Sequence, residues 1–391
     1  MLVGACDPSR RRKPVVENDA MMHPLNGADP ITLLRVLRTG GPPRPAQLPA
    51  LAGMLAGAGL RGPLSLAERG YVAARRPGRR MPPPIFILGH WRSGTTHLFN
   101  LLSGAPRLAY AAPIPVGLPW DFLLLGRAVE PVLKRLIPTR RGIDPMAVTP
   151  TAPQEDEIAL ASMTAPSYYH GVYKPRAFRA QMARGLFFDG CTPAEIARWQ
   201  RGLRLFTEKV SLRAGGARVL VKNPAHTAKV AQIRAIWPEA KFIHIVRDPH
   251  HVYQSTHRMF ADLLDMLALQ DRDAADVAAS IDETYPRMLD QVASDLAALP
   301  SGQWVEARFE ELEANPLGTV ARIAAELRLE DPEGLLAAAQ AHLDSVAGYR
   351  SRTREVPPEV AHSVERLWGR QRARLGYPAR TPDSAPGAPA P

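Results

Sequence analysis

A three-layer α/β/α fold around a mostly parallel central sheet is what this 391-residue chain predicts, on three observations. Short apolar runs bounded by turn residues recur at IFILG (85–89), RVLVK (218–222), KFIHIVR (241–247) and QWVEARF (303–309). Such runs read as strands buried on both faces. Helix-length segments separate them, and alternation of that kind builds a parallel sheet covered on both sides. The composition, 46% hydrophobic and 22% charged, supplies enough apolar side chain for one large core.

The elements follow in order. Residues 1–28 are ionic, rich in Pro, Asn and Asp and without periodicity, and are expected to be a flexible tail. Residues 29–84 form a helical extension, its stretches ITLLRVLR, LPALAGMLAG and SLAERGYVAARR cut by GGPPRP and RGP. Pro82-Pro83-Pro84 ends it and delivers an extended chain. The main domain runs from 85 to 378. After its first strand a helix reaches Ser103 and stops at Gly104. The Pro-rich, apolar stretch 110–150 reads as an irregular cover over a site. Thr151-x-x-Gln154 has the pattern of a capping box opening a helix through EDEIALASM. Helices are expected over 176–213, 226–236, from Pro249 to about Leu299, and 316–328. Residues 379–391 form a second flexible tail of Pro and Ala.

Composition also excludes. Cys6 and Cys191 make neither a disulfide framework nor a zinc spacing. No apolar run approaches the roughly 20 residues that span a bilayer, and no apolar segment follows the first charges as an export signal needs. Lys+Arg 49 against Asp+Glu 38 leaves +11, so the partner is anionic. The basic residues are spread along the chain and no reading module is present, which favours a small anion over nucleic acid. Only seven of the 49 are lysine, an arginine bias that fits a GC-rich bacterial coding sequence.

The chemistry concentrates where a strand meets GHWRSGTT. Gly89-x-x-x-x-Gly94 has the spacing of a P-loop-like phosphate cradle. A loop feeding a helix N-terminus presents unpaired N–H groups and a positive dipole end, and Ser93, Thr95 and Thr96 add hydroxyls. A nucleoside-triphosphatase loop would place lysine where Thr95 stands, with carboxylates for magnesium at later strand ends. Here the strand ends carry cations instead: Arg92, Lys222 and Arg247. The anion is therefore neutralised by side chains, and no metal is required. Arg247-Asp248-Pro249 caps a helix, with Ser255 placed so that a guanidinium and a hydroxyl reach one phosphate monoester.

In these motifs the chain resembles sulfotransferases that use 3′-phosphoadenosine 5′-phosphosulfate (PAPS), in particular the bacterial-type branch with an arginine in the first motif. The matching segments are PPIFILGHWRSGTTHLFNLL, PQEDEIAL, VLVKNPAH, WPEAKFIHIVRDP with Ser255, and FEELEANPLGTVARIAAEL. The resemblance implies that Arg92, Ser93, Gly94, Thr95 and Thr96 hold the 5′-phosphosulfate and that Arg247 and Ser255 hold the 3′-phosphate. Lys222 falls where a family lysine meets the transferring group. Phe309 falls where an aromatic stacks on adenine, although a core phenylalanine reads equally from the residue alone. The chain departs from the family pattern at His250-His251 and at Pro224, which stands where cytosolic members carry a catalytic histidine. Tyr349-Arg350 is a weak substitute for their C-terminal basic motif.

The implied reaction is in-line transfer of a sulfuryl group from PAPS to a hydroxyl or amine. Arg92 and Lys222 would stabilise its developing charge. The base that takes the acceptor's proton is sought first in Glu155-Asp156-Glu157, with Glu157 preferred, and second in His226. The apolar 110–150 stretch hints at a lipid-like or aromatic acceptor. A cytoplasmic enzyme is expected, because the family's donor is made there. The alternatives are a P-loop small-molecule kinase and a non-catalytic nucleotide-binding protein.

Overall fold

The computed structural model describes residues 23–75, 81–126, 130–131, 149–163, 166–346 and 355–380. Five strands form one sheet: β1 Ile85–Leu88, β2 Leu108–Ala109, β3 Arg218–Lys222, β4 Lys241–Val246 and β5 Trp304–Arg308. Their order is β2-β3-β1-β4-β5 and every pairing is parallel. Alternate strand residues face opposite ways, as the pleat demands. Phe86, Leu88, Val219, Val221, Phe242 and Val246 share one core with Trp199, Leu203, Tyr285, Leu289 and Trp368 of the helices Pro193–Arg213, Ala274–Ala297 and Pro358–Arg374. Ile85, Ile87, Leu220, Ile243, Ile245, Val305 and Ala307 share the other with the helices Thr95–Ser103, Pro316–Glu326 and Pro332–Ser345. Burial on both faces explains the uninterrupted apolar runs.

The register decides where chemistry can occur. Ile87 pairs with Lys222, Leu88 with His244, and Val246 with Arg308. The chain therefore leaves β3, β1, β4 and β5 at one edge, and four connecting segments converge there. Ligands of open α/β sheets bind at that edge.

A third core joins the N-terminal extension to the main domain. Leu25, Leu33, Val36, Leu51 and Met54 pack with Trp91, Ala161, Tyr168, Phe178 and Phe260. Residues 23–28, placed with the flexible tail by sequence, are thus part of the folded body. His23 Nδ1 accepts the Leu25 N–H, and a 3₁₀ turn spans Pro24–Gly27. The remainder of that tail, 1–22, lies outside the described residues, as does 381–391.

Three other expectations are corrected. RGP does not cut the extension, because one helix runs unbroken from Leu48 to Arg75 through Pro63. Its tertiary ties override the proline: Arg61 donates to both Asp121 oxygens at 3.3 Å and to Asn26 O at 2.6 Å, while buried Glu68 pairs with Lys209 at 2.6 Å. The capping box at Thr151 and Gln154 does not form. Gln154 Nε2 donates to Ala152 O at 3.5 Å, and the helix starts later, at Glu157–Met163. The described part of the expected cover is core: Ile114, Val116, Phe122 and Leu123 are buried in the first cluster. The rest of that stretch, 127–129 and 132–148, lies outside the described residues.

Candidate active site

The loop after β1 is shaped by two left-handed residues, Arg92 at φ 68° and Gly94 at φ 98°. The β-carbon of an L-residue crowds the backbone in this region, so the glycine is required at the tighter position. A Cβ on Gly94 would also stand 2.2 Å from Phe309 Cδ2. Thr227 latches the loop from behind, accepting the Gly89 N–H at 2.8 Å and donating to Gly89 O at 3.2 Å. Thr256 donates to Trp91 O at 3.4 Å. The helix Thr95–Ser103 then begins with its dipole aimed at the sheet edge. Ser93 Oγ is buried without a hydrogen-bond partner, an orphan that an anion in the loop would satisfy.

Two clusters flank this cradle. On the β3 side Lys222 Nζ donates to Glu155 Oε1 at 2.5 Å and to Thr96 Oγ1 at 3.2 Å. The lysine is buried, while the Glu155 side chain keeps 24% of its surface open. On the β4 side Arg92 Nε donates to Ser255 Oγ at 2.8 Å, and Arg247 Nη1 donates to Arg92 O at 3.3 Å. The Arg247 guanidinium lies 4.1 Å over the Phe309 ring. Burial lowers its pKa, partly offset by Glu310 and Glu313.

Behind Lys222 lies a buried polar network. Asn223 Nδ2 donates to Asp156 Oδ1 and Glu157 Oε2, each at 2.9 Å. His226 Nε2 meets Asp156 Oδ2 at 2.8 Å, and Ser167 Oγ donates to Glu157 Oε1 at 2.7 Å. Lys229 completes it, its Nζ buried without a hydrogen bond between the rings of Phe188 and Trp199. Burial lowers the lysine's pKa, while Glu157 and Asp156 oppose the shift.

This arrangement, an amide cradle between two groups of cations with a carboxylate at its rim, suits transfer of an anionic group. Comparison with known proteins agrees. The profile of the sulfotransferase family matches residues 83–333. The omega-hydroxy-beta-dihydromenaquinone-9 sulfotransferase Stf3 of Mycobacterium bovis is 31% identical over 303 residues, 78% of this chain and 77% of that protein. The chain belongs to the sulfotransferase family. Among solved structures, STF9 from Mycobacterium avium aligns over 80% of this sulfotransferase and 82% of its own chain, with TM-score 0.59 and 13% identity. STF1 from Mycobacterium tuberculosis aligns over 86% and 90%, with TM-score 0.57 and 17% identity. At those identities they share the fold. The family generally uses PAPS as its sulfuryl donor.

The sulfotransferase brings together most residues singled out from its sequence. Ser93, Gly94, Thr95, Thr96, Lys222 and Glu155 surround one end of the cradle, and Arg92, Arg247 and Ser255 the other. Three placements differ from expectation. Glu157, the preferred base, has 0% exposure with both oxygens occupied by Asn223 and Ser167, so the geometry turns to Glu155. His226 is also fully buried, packed on Phe86 and Trp199 and paired with Asp156. Arg92 is expected with the phosphosulfate, but its side chain donates to Ser255 on the Arg247 side of the loop.

Phe309 belongs to the core that holds Ile85, Ile87 and Val305, with one ring edge on Gly94 and its face under Arg247. It carries the core reading more strongly than adenine stacking. Tyr349 and Arg350 lie outside the described residues. Sequence reasoning passed over Asn223, Thr227 and Arg380. The first follows Lys222 directly and stood in the quoted motif. The latch of Thr227 on Gly89 spans 138 positions and left no local pattern.

Proposed function

We propose that this sulfotransferase binds PAPS along the sheet edge and sulfates a hydroxyl on an apolar, prenylquinol-like acceptor. The 5′-phosphosulfate lies in the loop, held by its N–H groups and by Ser93, Thr95 and Thr96. Lys222 meets the transferring group and the leaving phosphate oxygen. Arg247, Ser255 and Arg92 hold the 3′-phosphate, a monoester suited to a guanidinium fork and a hydroxyl. Glu155 takes the proton of the acceptor hydroxyl as that oxygen bonds to sulfur and the bisphosphate departs. Asn223, Asp156, Glu157 and Ser167 fix the segment that carries Glu155.

The observation that carries this reading is Lys222, which bridges Thr96 of the anion loop and the partly exposed carboxylate of Glu155. One residue thus joins donor site and base, as an in-line step needs. The acceptor class is supported by the mycobacterial relative, whose name specifies a hydroxylated menaquinone derivative. A cytoplasmic location remains part of the proposal.

Two measurements test it. Calorimetry with adenosine 3′,5′-bisphosphate should give the same affinity with and without a chelator; preference for ATP with Mg²⁺ would restore the kinase alternative. Incubation with PAPS and a chain-terminal prenylquinol alcohol should yield a product heavier by one sulfuryl group. Bisphosphate binding without any sulfated product from a panel of apolar alcohols would leave a nucleotide-binding protein and overturn the acceptor.

A further inference from the structure

The helical extension has a face that its own fold does not use. Among the described residues, six of the seven prominently exposed large apolar side chains lie between 31 and 66: Ile31, Leu34, Leu48, Leu60, Leu64 and Leu66. Leu60 is 82% and Leu66 is 66% exposed. The helix Leu48–Arg75 buries Leu51, Met54, Ala58, Glu68 and Val72 inward. A soluble helix would carry charge on the other face. Here the only charged residue from Leu48 to Ala67 is Arg61, which is turned inward to Asp121. The outward surface is Leu, Ala, Gly and Pro for about 30 Å. A Cβ at Gly53, Gly57, Gly59 or Gly62 would meet nothing within 4 Å, so no part of the described fold covers it.

Charge decides what does. Arg35, Arg38 and Arg44 are exposed at one end of this face, Arg69 and Arg75 at the other. The single acid between residues 30 and 75, Glu68, is buried against Lys209. Arg44 also donates to Ala268 O and meets Asp271 at 3.9 Å, and its side chain stays 43% exposed. A second copy of this +11 chain would be repelled, whereas anionic headgroups would be attracted, with arginines reaching up beside an apolar strip. No described helix is long and apolar enough to cross a membrane, so a bilayer would meet this strip at its surface rather than be spanned by it.

We propose that residues 30–75 are a docking face for an anionic lipid bilayer. The face is coupled to the site. Helix Glu157–Met163 begins two residues after Glu155, and its Ser162 Oγ donates to Pro24 O at 3.1 Å. Its Ala161 shares a core with Leu33, Leu51 and the loop residue Trp91. The docking itself does not depend on the acceptor reading.

The test is flotation of the full chain with vesicles of phosphatidylcholine alone or mixed equally with phosphatidylglycerol. The wild type should float with the mixed vesicles and far less with the neutral ones. Leu60→Glu, Leu64→Glu and Leu66→Glu combined should cut the bound fraction by roughly tenfold or more. Bisphosphate affinity and thermal midpoint should stay unchanged, which separates lost docking from lost folding or a lost donor site. Failure of the wild type to float, or equal flotation of the variant, overturns the proposal. So does light scattering that shows a dimer which the same variant dissolves, with no vesicle binding by either chain.

Discussion

Glu155 and Glu157 stand two positions apart and have opposite environments. Glu157 accepts from Asn223 and Ser167 with no exposed surface, and Glu155 meets Lys222 at the open rim. The sequence shows three acids at a helix start and cannot rank them, because their partners lie up to 70 positions away. The cations at strand ends were legible, since a strand's end is visible where its apolar run stops. Glu155→Gln should lower turnover by about 10²–10⁴-fold while bisphosphate affinity holds. Glu157→Gln should instead cost about 1–3 kcal/mol of stability, because a buried amide must face the Asn223 or Ser167 donor. Steady-state turnover and urea unfolding of both variants separate the roles. A dead but fully stable Glu157→Gln enzyme would return the base to that residue.

Elements were legible where local chemistry and tertiary context agree. All four recognised strands and the helix from Thr95 to Ser103 fall where apolar runs, Gly and Pro placed them. The helix through Pro63 was not legible, because Arg61 and Glu68 are tied to residues beyond any local window. The two-residue β2 offers too short a pattern. The helix Pro358–Arg374 carried no motif, yet the segment after it braces the second phosphate motif. Arg380 pairs with Asp248 at 2.7 Å, and Tyr377 donates to Glu310 at 2.7 Å. Burial raises the Asp248 pKa, but His250 and Arg380 together hold it well below the usual carboxylate range. The loop invites the sharpest test at this scale. Gly94→Ala adds backbone strain of about 1–3 kcal/mol and drives a methyl into Phe309. Stability and bisphosphate affinity should fall together. Phe309→Leu in the same chain should recover part of the stability but not all, since the clash is relieved and the φ penalty stays. Complete recovery would mean that the left-handed conformation imposes nothing.

At the scale of the whole molecule, two histidines, half-buried His23 and buried His90, are expected to make the fold acid-sensitive. His23 ties the extension to the main domain. Its Nδ1 accepts from Leu25 N at 3.2 Å, so Nε2 carries the hydrogen and donates to Leu267 O at 3.1 Å. Protonation would set a second N–H against a donor. Burial pushes its pKa down to about 4, against the weaker opposing effect of Leu267. His90, enclosed by Trp91, Tyr285 and Trp368, is pushed down by burial to about 3. Both folded values lie below the unfolded value near 6.5, so the unfolded chain binds more protons in between. Stability is therefore complete above about pH 6.5 and declines as pH falls. The His23 part is lost by about pH 4 and the His90 part by about pH 3, each of the order of 3 kcal/mol or more. Most of this decline precedes carboxylate protonation, which sets in nearer pH 4. Thermal midpoints between pH 7.5 and 4.5 should fall steadily below 6.5 for the wild type. His23→Asn keeps an acceptor for Leu25 N but has no proton to gain. Its midpoint should start lower, for want of the Leu267 contact, and fall with a shallower slope. Parallel slopes for the two chains would show that His23 takes up its proton as readily in the folded state as in the unfolded one, and its part in the acid sensitivity would fall away.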